Sequence, residues 1–253
     1  MPTFIHGKGT KTYIDEFDLS SYFNAADSTF SIETADTTAF GASSRSFLPG
    51  LQTATMGLTG LWSQDATTGS DVVLEALLAN TTSPLTTVAI AAGTIGNKAI
   101  LMQSDQLTYS ISSPVADVVS VSADFQATTD GTTNLTYSGQ TGVQLTPYLT
   151  ATTLDFPASF TSVDNAASSA NGGFALIHVP INTMSGGVTT YKVQHSANDV
   201  TWADLITFST VAAATTTSEL KAVSGTVNRY IRCTGTTAAS SGALTTMVSF
   251  ARF

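Results

Sequence analysis

Three histidines, one cysteine and eighteen acidic residues are the groups from which a reactive site in this 253-residue chain would have to be built. His6, His178 and His195 are scattered, with no His-x-His or His-x-x-x-His pair, and there is no second cysteine, so the ligand spacing of a metal site is missing. Surface or half-buried histidines are expected. Cys233 ends the apolar run from Tyr230, which fits a core thiol better than a nucleophile, and one cysteine makes no internal disulfide. Asp15, Glu16 and Asp18 gather three carboxylates but lack the loop spacing that brings six or more oxygens to calcium, so a solvated turn is expected. Gly7-Lys8-Gly9 is too short for a dinucleotide loop. The stretch GTIGNK at 93–98 has the wrong spacing for a phosphate loop, with no Ser or Thr after Lys98. No Gly-x-Ser-x-Gly elbow occurs. The expectation is a protein that is not an enzyme and uses neither metal nor cofactor.

The elements that would position any site are foreshadowed by composition. Hydrophobic residues make up 42% and charged residues 11%, against roughly 25% charged in an ordinary soluble protein. The polar surface is therefore built from Thr, Ser, Asn and Gln, and β-branched Thr favours strands. Residues 1–8 hold no long apolar segment, and apolar runs such as 88–92 are too short to span a bilayer. A soluble protein made in a cytoplasm is expected, without membrane insertion, its sequons at Asn80 and Asn134 unmodified.

The net charge is −9 and is unevenly spread. Residues 1–153 carry four bases against thirteen acids, whereas residues 154–253 carry five of each. With Thr/Ser/Gly-rich residues 128–153 and Ser/Ala/Asn-rich residues 161–173, this places a domain boundary near 155, giving domains 1–155 and 156–253. An acidic domain has no cations with which to displace counterions from phosphates, so it is not expected to grip DNA.

Period-two alternation marks the strands. In residues 27–36, Phe30 and Ile32 alternate with Asp27, Thr29, Ser31 and Glu33; in residues 52–62, Ala54, Met56, Leu58 and Trp62 face away from Thr53, Thr55 and Thr59. Between them, GASSRSFLPG at 41–50 reads as the loop of a long hairpin, ending in Pro49-Gly50. A second hairpin sets Leu107, Tyr109 and Ile111 against Thr108, Ser110 and Ser112. After Ser113-Pro114 it sets Val119, Val121, Ala123 and Phe125 against Ser120, Ser122 and Asp124. One helix is predicted at 70–80, capped by Ser70, with Asp71 in its first turn and a stripe of Val73, Leu74, Leu77 and Leu78.

Read in order, GKGTKTYIDEFDLSSYFN, TAFGASSRSFLPGLQTATMGLTGLW and SDVVLEALLA resemble the major tail, or tail tube, proteins of long-tailed bacteriophages, over roughly residues 4–127. The resemblance implies a mainly β fold. Its N-terminal part is an antiparallel β-sandwich or barrel with long hairpins and one flanking α-helix. It implies hexameric rings stacked into a tube through which DNA passes into the host without specific binding. It further implies tape-measure, tail-terminator and baseplate proteins as partners, and a place in the virion tail, assembled in the host cytoplasm. Lumen-facing candidates are then Asp27, Thr29, Ser31, Glu33, Thr53, Thr55, Thr59, Ser120, Ser122 and Asp124. Arg45, Phe47, Leu48 and Pro49 become candidates for contact with the neighbouring ring.

Residues 174–253 read as a separate β-sandwich that resembles the jelly-roll or immunoglobulin-like modules of phage virions, projecting outward. Tyr191, Val193 and Trp202 are expected in its core, although Trp202, Tyr191 and Tyr230 are also of the type that stacks on sugars. Deletion after about 155 should still give tubes if this part is an ornament. The alternative is a capsid decoration protein or a carbohydrate-binding virion module.

Overall fold

The computed structural model describes residues 5–79, 82–129, 139–147, 149–152 and 157–253. Both sequon asparagines and the boundary residue 155 lie outside them. A 3-10 turn at Gly7–Gly9 precedes β1 (Lys11–Ile14) and β2 (Phe17–Asp18). Two long strands follow, β3 (Phe23–Asp36) and β4 (Phe47–Leu61), then helix α1 (Ser70–Leu78), β5 (Leu85–Ala89), β6 (Lys98–Ser112) and β7 (Ser120–Ala127). Short strands β8 (Gln140–Gln144), β9 (Leu149–Thr152) and β10 (Val163–Asp164) come next, then β11 (Gly173–Asn182) and β12 (Val188–Ser196). The chain closes with β13 (Ala203–Thr207), β14 (Val211–Ala212), β15 (Thr217–Val223), β16 (Tyr230–Thr237) and β17 (Ala243–Arg252). The fold is mainly β and antiparallel, and no sheet closes into a barrel among the described residues.

Packing divides this chain into two units, neither continuous in sequence. A hairpin unit comprises Tyr22–Pro84 and Met102–Gly139; a terminal unit comprises Met1–Ser21, Leu85–Leu101 and Gln140–Phe253. This is a different partition from the linear one near residue 155. It also sharpens the charge distribution: the hairpin unit holds ten acids and a single base, Arg45, while the terminal unit holds eight of each.

In the hairpin unit the strand order is β3, β4, β7 and the later part of β6. One face buries Ala54, Met56, Leu58, Val121, Ala123 and Phe125, and α1 adds buried Val73, Leu74 and Leu77. Each large apolar side chain so covered contributes roughly 1.5–3 kcal/mol. Helix α1 is tied to the sheet by polar bonds: the Tyr109 hydroxyl donates to the Asp71 carboxylate, and Gln106 Nε2 donates to the Leu74 carbonyl at 3.0 Å. Asp71 lies in the first turn as expected. Ser70 does not cap: the N-cap is Gly69, and the Ser70 hydroxyl donates to the Leu61 carbonyl and accepts from the Ser63 amide, bracing the chain as it leaves β4. Leu78 is 48% exposed, outside the buried stripe. Gly60 is required where β4 meets the start of β3, since a Cβ there would lie 2.2 Å from the Tyr22 carbonyl oxygen.

The terminal unit is a sandwich. One sheet runs β15, β11, β17, β8, the first residues of β6, β5, β1 and β2; the other runs β10, β16, β12 and β13, with β14 also on β12. Ala175, Ile177, Val248 and Phe250 from the first meet Tyr191, Val193, Ile231 and Cys233 from the second. Strands β11 and β17 are buried on both faces, their far side carrying His178 and Met247, with Tyr13 stacked on His178. Thus residues 174–253 are not a self-contained module: β17 pairs with β8 and β9, and β11 covers β1 residues. The Thr/Ser/Gly-rich stretch 128–153 supplies β8 and β9, and residues 161–173 supply β10; a Thr-rich strand whose partner lies about a hundred residues away has no local signal beyond its composition. Among the described residues no helix is long and apolar enough to cross a membrane.

Candidate functional site

The ten polar residues singled out by alternation come together on the uncovered face of the hairpin unit's sheet. Register places Thr29 beside Thr55, Ser31 beside Thr53 and Thr59 beside Ser122. Asp27 and Asp124 flank Gly57, Ser120 stands opposite Leu61, and Glu33 continues the row along β3. Further members of this face were not on that list: Asp105, Thr108, Ser110, Ser112 and Gln126, joined to it across β6 and β7. The alternation of β6 had marked its hydroxyls; only the register, shifted by a bulge at Leu107, assigns them to this face. Thr108 and Asp124 exchange two bonds, hydroxyl to carboxylate at 2.8 Å and amide to hydroxyl at 3.1 Å. No base stands on the face among the described residues, since Arg45 is the unit's one cation.

The distal part of the β3–β4 ribbon is exposed on both faces from Ser31 to Gln52. Ile32 is 56% exposed, Phe47 51%, Leu48 61% and Leu51 80%. Several sequence expectations change here. Phe30 and Ile32, expected to face inward, are exposed because α1 covers only the proximal half of the sheet. Pro49-Gly50 is not the turn: both lie inside β4, at a register shift where Gly50 approaches Glu33, and the loop is 37–46. Proline is tolerated because β7 pairs with β4 only from Thr55 onward, leaving that side of Pro49 without a ladder to break. Of the four ring-contact candidates, Arg45 lies in the loop while Phe47, Leu48 and Pro49 lie in strand. Fully exposed Phe40 was missed. The loop base is tied by Thr37 N–H to Ser46 O at 2.8 Å and Ser46 N–H to the Thr38 hydroxyl at 3.0 Å. Hydrogen bonds from the Thr38 hydroxyl and amide hold the Asp36 carboxyl below its usual range.

Both outer strands of this sheet are open. Among the described residues β3 pairs only with β4, and β6 beyond Leu107 pairs only with β7.

The other groups weighed as reactive lie in the terminal unit. His178 is buried, not half-exposed: its Nδ1–H donates to the Asp15 carbonyl at 2.6 Å, and its Nε2 accepts from the Thr87 hydroxyl at 2.8 Å. Burial pushes its pKa down to about 4, so it stays neutral. His195 is half-buried and His6 exposed. Among the described residues no cluster of three or more metal-binding side chains exists, and Asp15 is bonded to the start of β5. Its carboxylate accepts from the Leu85 amide at 2.8 Å, and burial raises its pKa. Cys233 is buried, as expected of a core thiol, and burial pushes its pKa up. Tyr191 and Val193 are core residues; Trp202 is not, lying on the outer side with Arg232 stacked over its ring at 4.1 Å.

No family model and no curated protein matches the chain. Among solved structures, a chain of the native gene transfer agent virion is 16% identical over 50% of this chain and 95% of its own length, with a TM-score of 0.40. A chain of the tail of an empty gene transfer agent particle gives the same identity and score. The SPP1 Dit protein, described as a paradigm of hub adsorption apparatus in phages infecting Gram-positive hosts, is 15% identical. That match covers 96% of this chain and 99% of Dit, with a TM-score of 0.40.

Proposed function

We propose that the chain is a structural subunit of a bacteriophage tail that assembles with copies of itself into rings and a tube. The observation that carries this is the β3–β4 ribbon, which extends beyond its own core with Ile32, Phe40, Phe47, Leu48 and Leu51 exposed. A two-stranded ribbon is marginal alone in water, and its apolar side chains need cover. The open edges of β3 and β6 supply complementary ladders, so the β3 edge of one copy pairs with the β6 edge of the next. Such a contact is head-to-tail and closes into a ring when the rotation permits; the family resemblance implies six copies. Twenty-four strands, four per copy, would enclose an aqueous channel.

The polar face then lines the bore. Hydroxyls with Asp27, Glu33, Asp105 and Asp124 and no cation give DNA nothing to bind, so it passes rather than sticks. Arg45, with Phe47, Leu48 and Pro49, meets the adjacent ring, where Arg45 finds an acidic partner and the apolar residues anchor it. Tape-measure, terminator and baseplate proteins would act at the tube's ends and core, and the tail would form in the host cytoplasm.

The test is negative-stain electron microscopy of the untagged protein across a concentration series. Hollow tubes or rings are expected, and Arg45→Glu should abolish tube growth with the circular dichroism spectrum unchanged. Discrete particles at every concentration, with or without added tail extract, would instead favour a capsid decoration role.

A further inference from the structure

On the outer face of the terminal unit's smaller sheet lies an open cleft of about 380 Å³, within the range of small-ligand sites, about 300–1,000 Å³. Its floor is three cross-strand rungs of β12 and β16: Thr190 beside Thr236, Lys192 beside Thr234, and Gln194 beside Arg232. Its wall is the segment carrying Ala158 and Ser159, held alongside β16 by Phe160 N–H to Cys233 O at 2.9 Å and a bridge from Ser159 to Thr234.

The polar groups are ordered before any ligand arrives. Lys192 Nζ donates to Asp204 at 2.6 Å, and Gln194 Nε2 donates to the other Asp204 oxygen at 2.7 Å. This turns Gln194 Oε1 toward Arg232, where it accepts from Nε at 3.0 Å and from Nη2 at 2.8 Å, while the guanidinium plane rests on Trp202. Among the described residues Arg232 therefore has a neutral acceptor and an aromatic support but no carboxylate in salt-bridge range, whereas Lys192, Lys221 and Arg229 are each paired with an acid. Counting Lys192, Arg232 and the Asp204 carboxylate that Lys192 engages, the cleft keeps one net positive charge among the described residues, in a chain of −9.

We propose that this cleft binds an acidic saccharide, a sugar unit bearing a carboxylate or phosphate, with the anion on Arg232 and sugar hydroxyls on Gln194 and the threonine row. A guanidinium with its stem and one edge already fixed loses little freedom on binding an oxyanion. Threonine methyl groups and hydroxyls together suit a ring with apolar C–H faces and polar rims. A peptide would want an apolar anchor pocket, which the lining lacks. Nucleic acid needs several phosphate contacts, and one unpaired cation does not supply them. The site is independent of the tube reading.

The experiment is calorimetric titration of the full chain with trigalacturonic acid, with glucose 6-phosphate, and with the fully methyl-esterified trigalacturonate. Saturable binding of at least one acidic probe is expected, the two arms telling carboxylate from phosphate, with the ester at least about tenfold weaker. Arg232→Gln should weaken binding by about tenfold or more. Thr234→Trp, which fills the cleft while sparing the Arg232–Gln194 bonds, should do the same, and Lys221→Gln should change nothing. The proposal is overturned if neither acidic probe binds in the millimolar range, if Thr234→Trp binds as well as the native chain, or if the ester or a DNA oligonucleotide binds equally.

Discussion

Acidification should destabilise the terminal unit through one residue. His178 is held neutral, its Nδ1–H used by the Asp15 carbonyl and its Nε2 by the Thr87 hydroxyl, with Tyr13 stacked on the ring. In the unfolded chain its pKa is about 6.5, whereas in the fold it is pushed down to about 4. The folded pKa of this base is depressed, so its neutral form is matched to the fold above pH 6.5. Between pH 6.5 and 4 the unfolded chain binds the extra proton, and stability falls. Integrating this difference from pH 7 to pH 5 gives a loss of about 2 kcal/mol. The assay is urea unfolding at both pH values, at a concentration below assembly, for the native chain and for His178→Gln. The variant should be less stable at pH 7 but should lack that loss. Asp15, whose raised pKa acts in the opposite direction at lower pH, and half-buried His195, lowered by burial, remain in both proteins and cancel. Equal pH dependence in the two would refute the reasoning.

Three further outcomes follow from the packing. Tyr109→Phe removes the hydroxyl that donates to Asp71 and should cost about 1–2 kcal/mol in urea unfolding, through loosening of α1. Gly60→Ala forces a Cβ against the Tyr22 carbonyl and should lower stability by about 1–3 kcal/mol, seen as a reduced melting temperature. The Cys233 thiol should be unreactive toward a thiol reagent in the native protein and react fully in guanidinium chloride.

The sequence was most legible where structure repeats at short range. Alternation alone grouped Asp27 with Thr29 and Ser120 with Ser122, because side chains two apart on a strand must share a face. It failed at bulges: Leu107 reads as a core residue, yet the extra residue in β6 turns it out, leaving it 54% exposed. It failed again where an apolar residue outruns its cover, as at Ile32. His178 was hidden by its type, although its neighbours Ile177 and Val179 mark a strand buried throughout. Beyond reach was the division into units, since nothing in Thr12 or Val88 announces what will lie beside them. The Trp202–Arg232 stack joins residues thirty apart through the register of three strands, which periodicity does not encode.

The interleaving of the terminal unit carries a consequence for the order of events during synthesis. Its sheet includes residues 11–14 from the start of the chain and residues 243–252 from the end, with β8 and β9 waiting for β17. A nascent chain cannot complete this sheet until residues 243–252 have emerged, long after β1, β5 and β8. Long-range closure of this kind is slow. A shortened product, from premature termination or from a cut after residue 155, would lack β11 and β17 and leave β8 paired with β6 alone. In a cell making many copies at once, only chains that include β17 would carry a closed terminal unit, so a truncated copy is marked by the strand order itself.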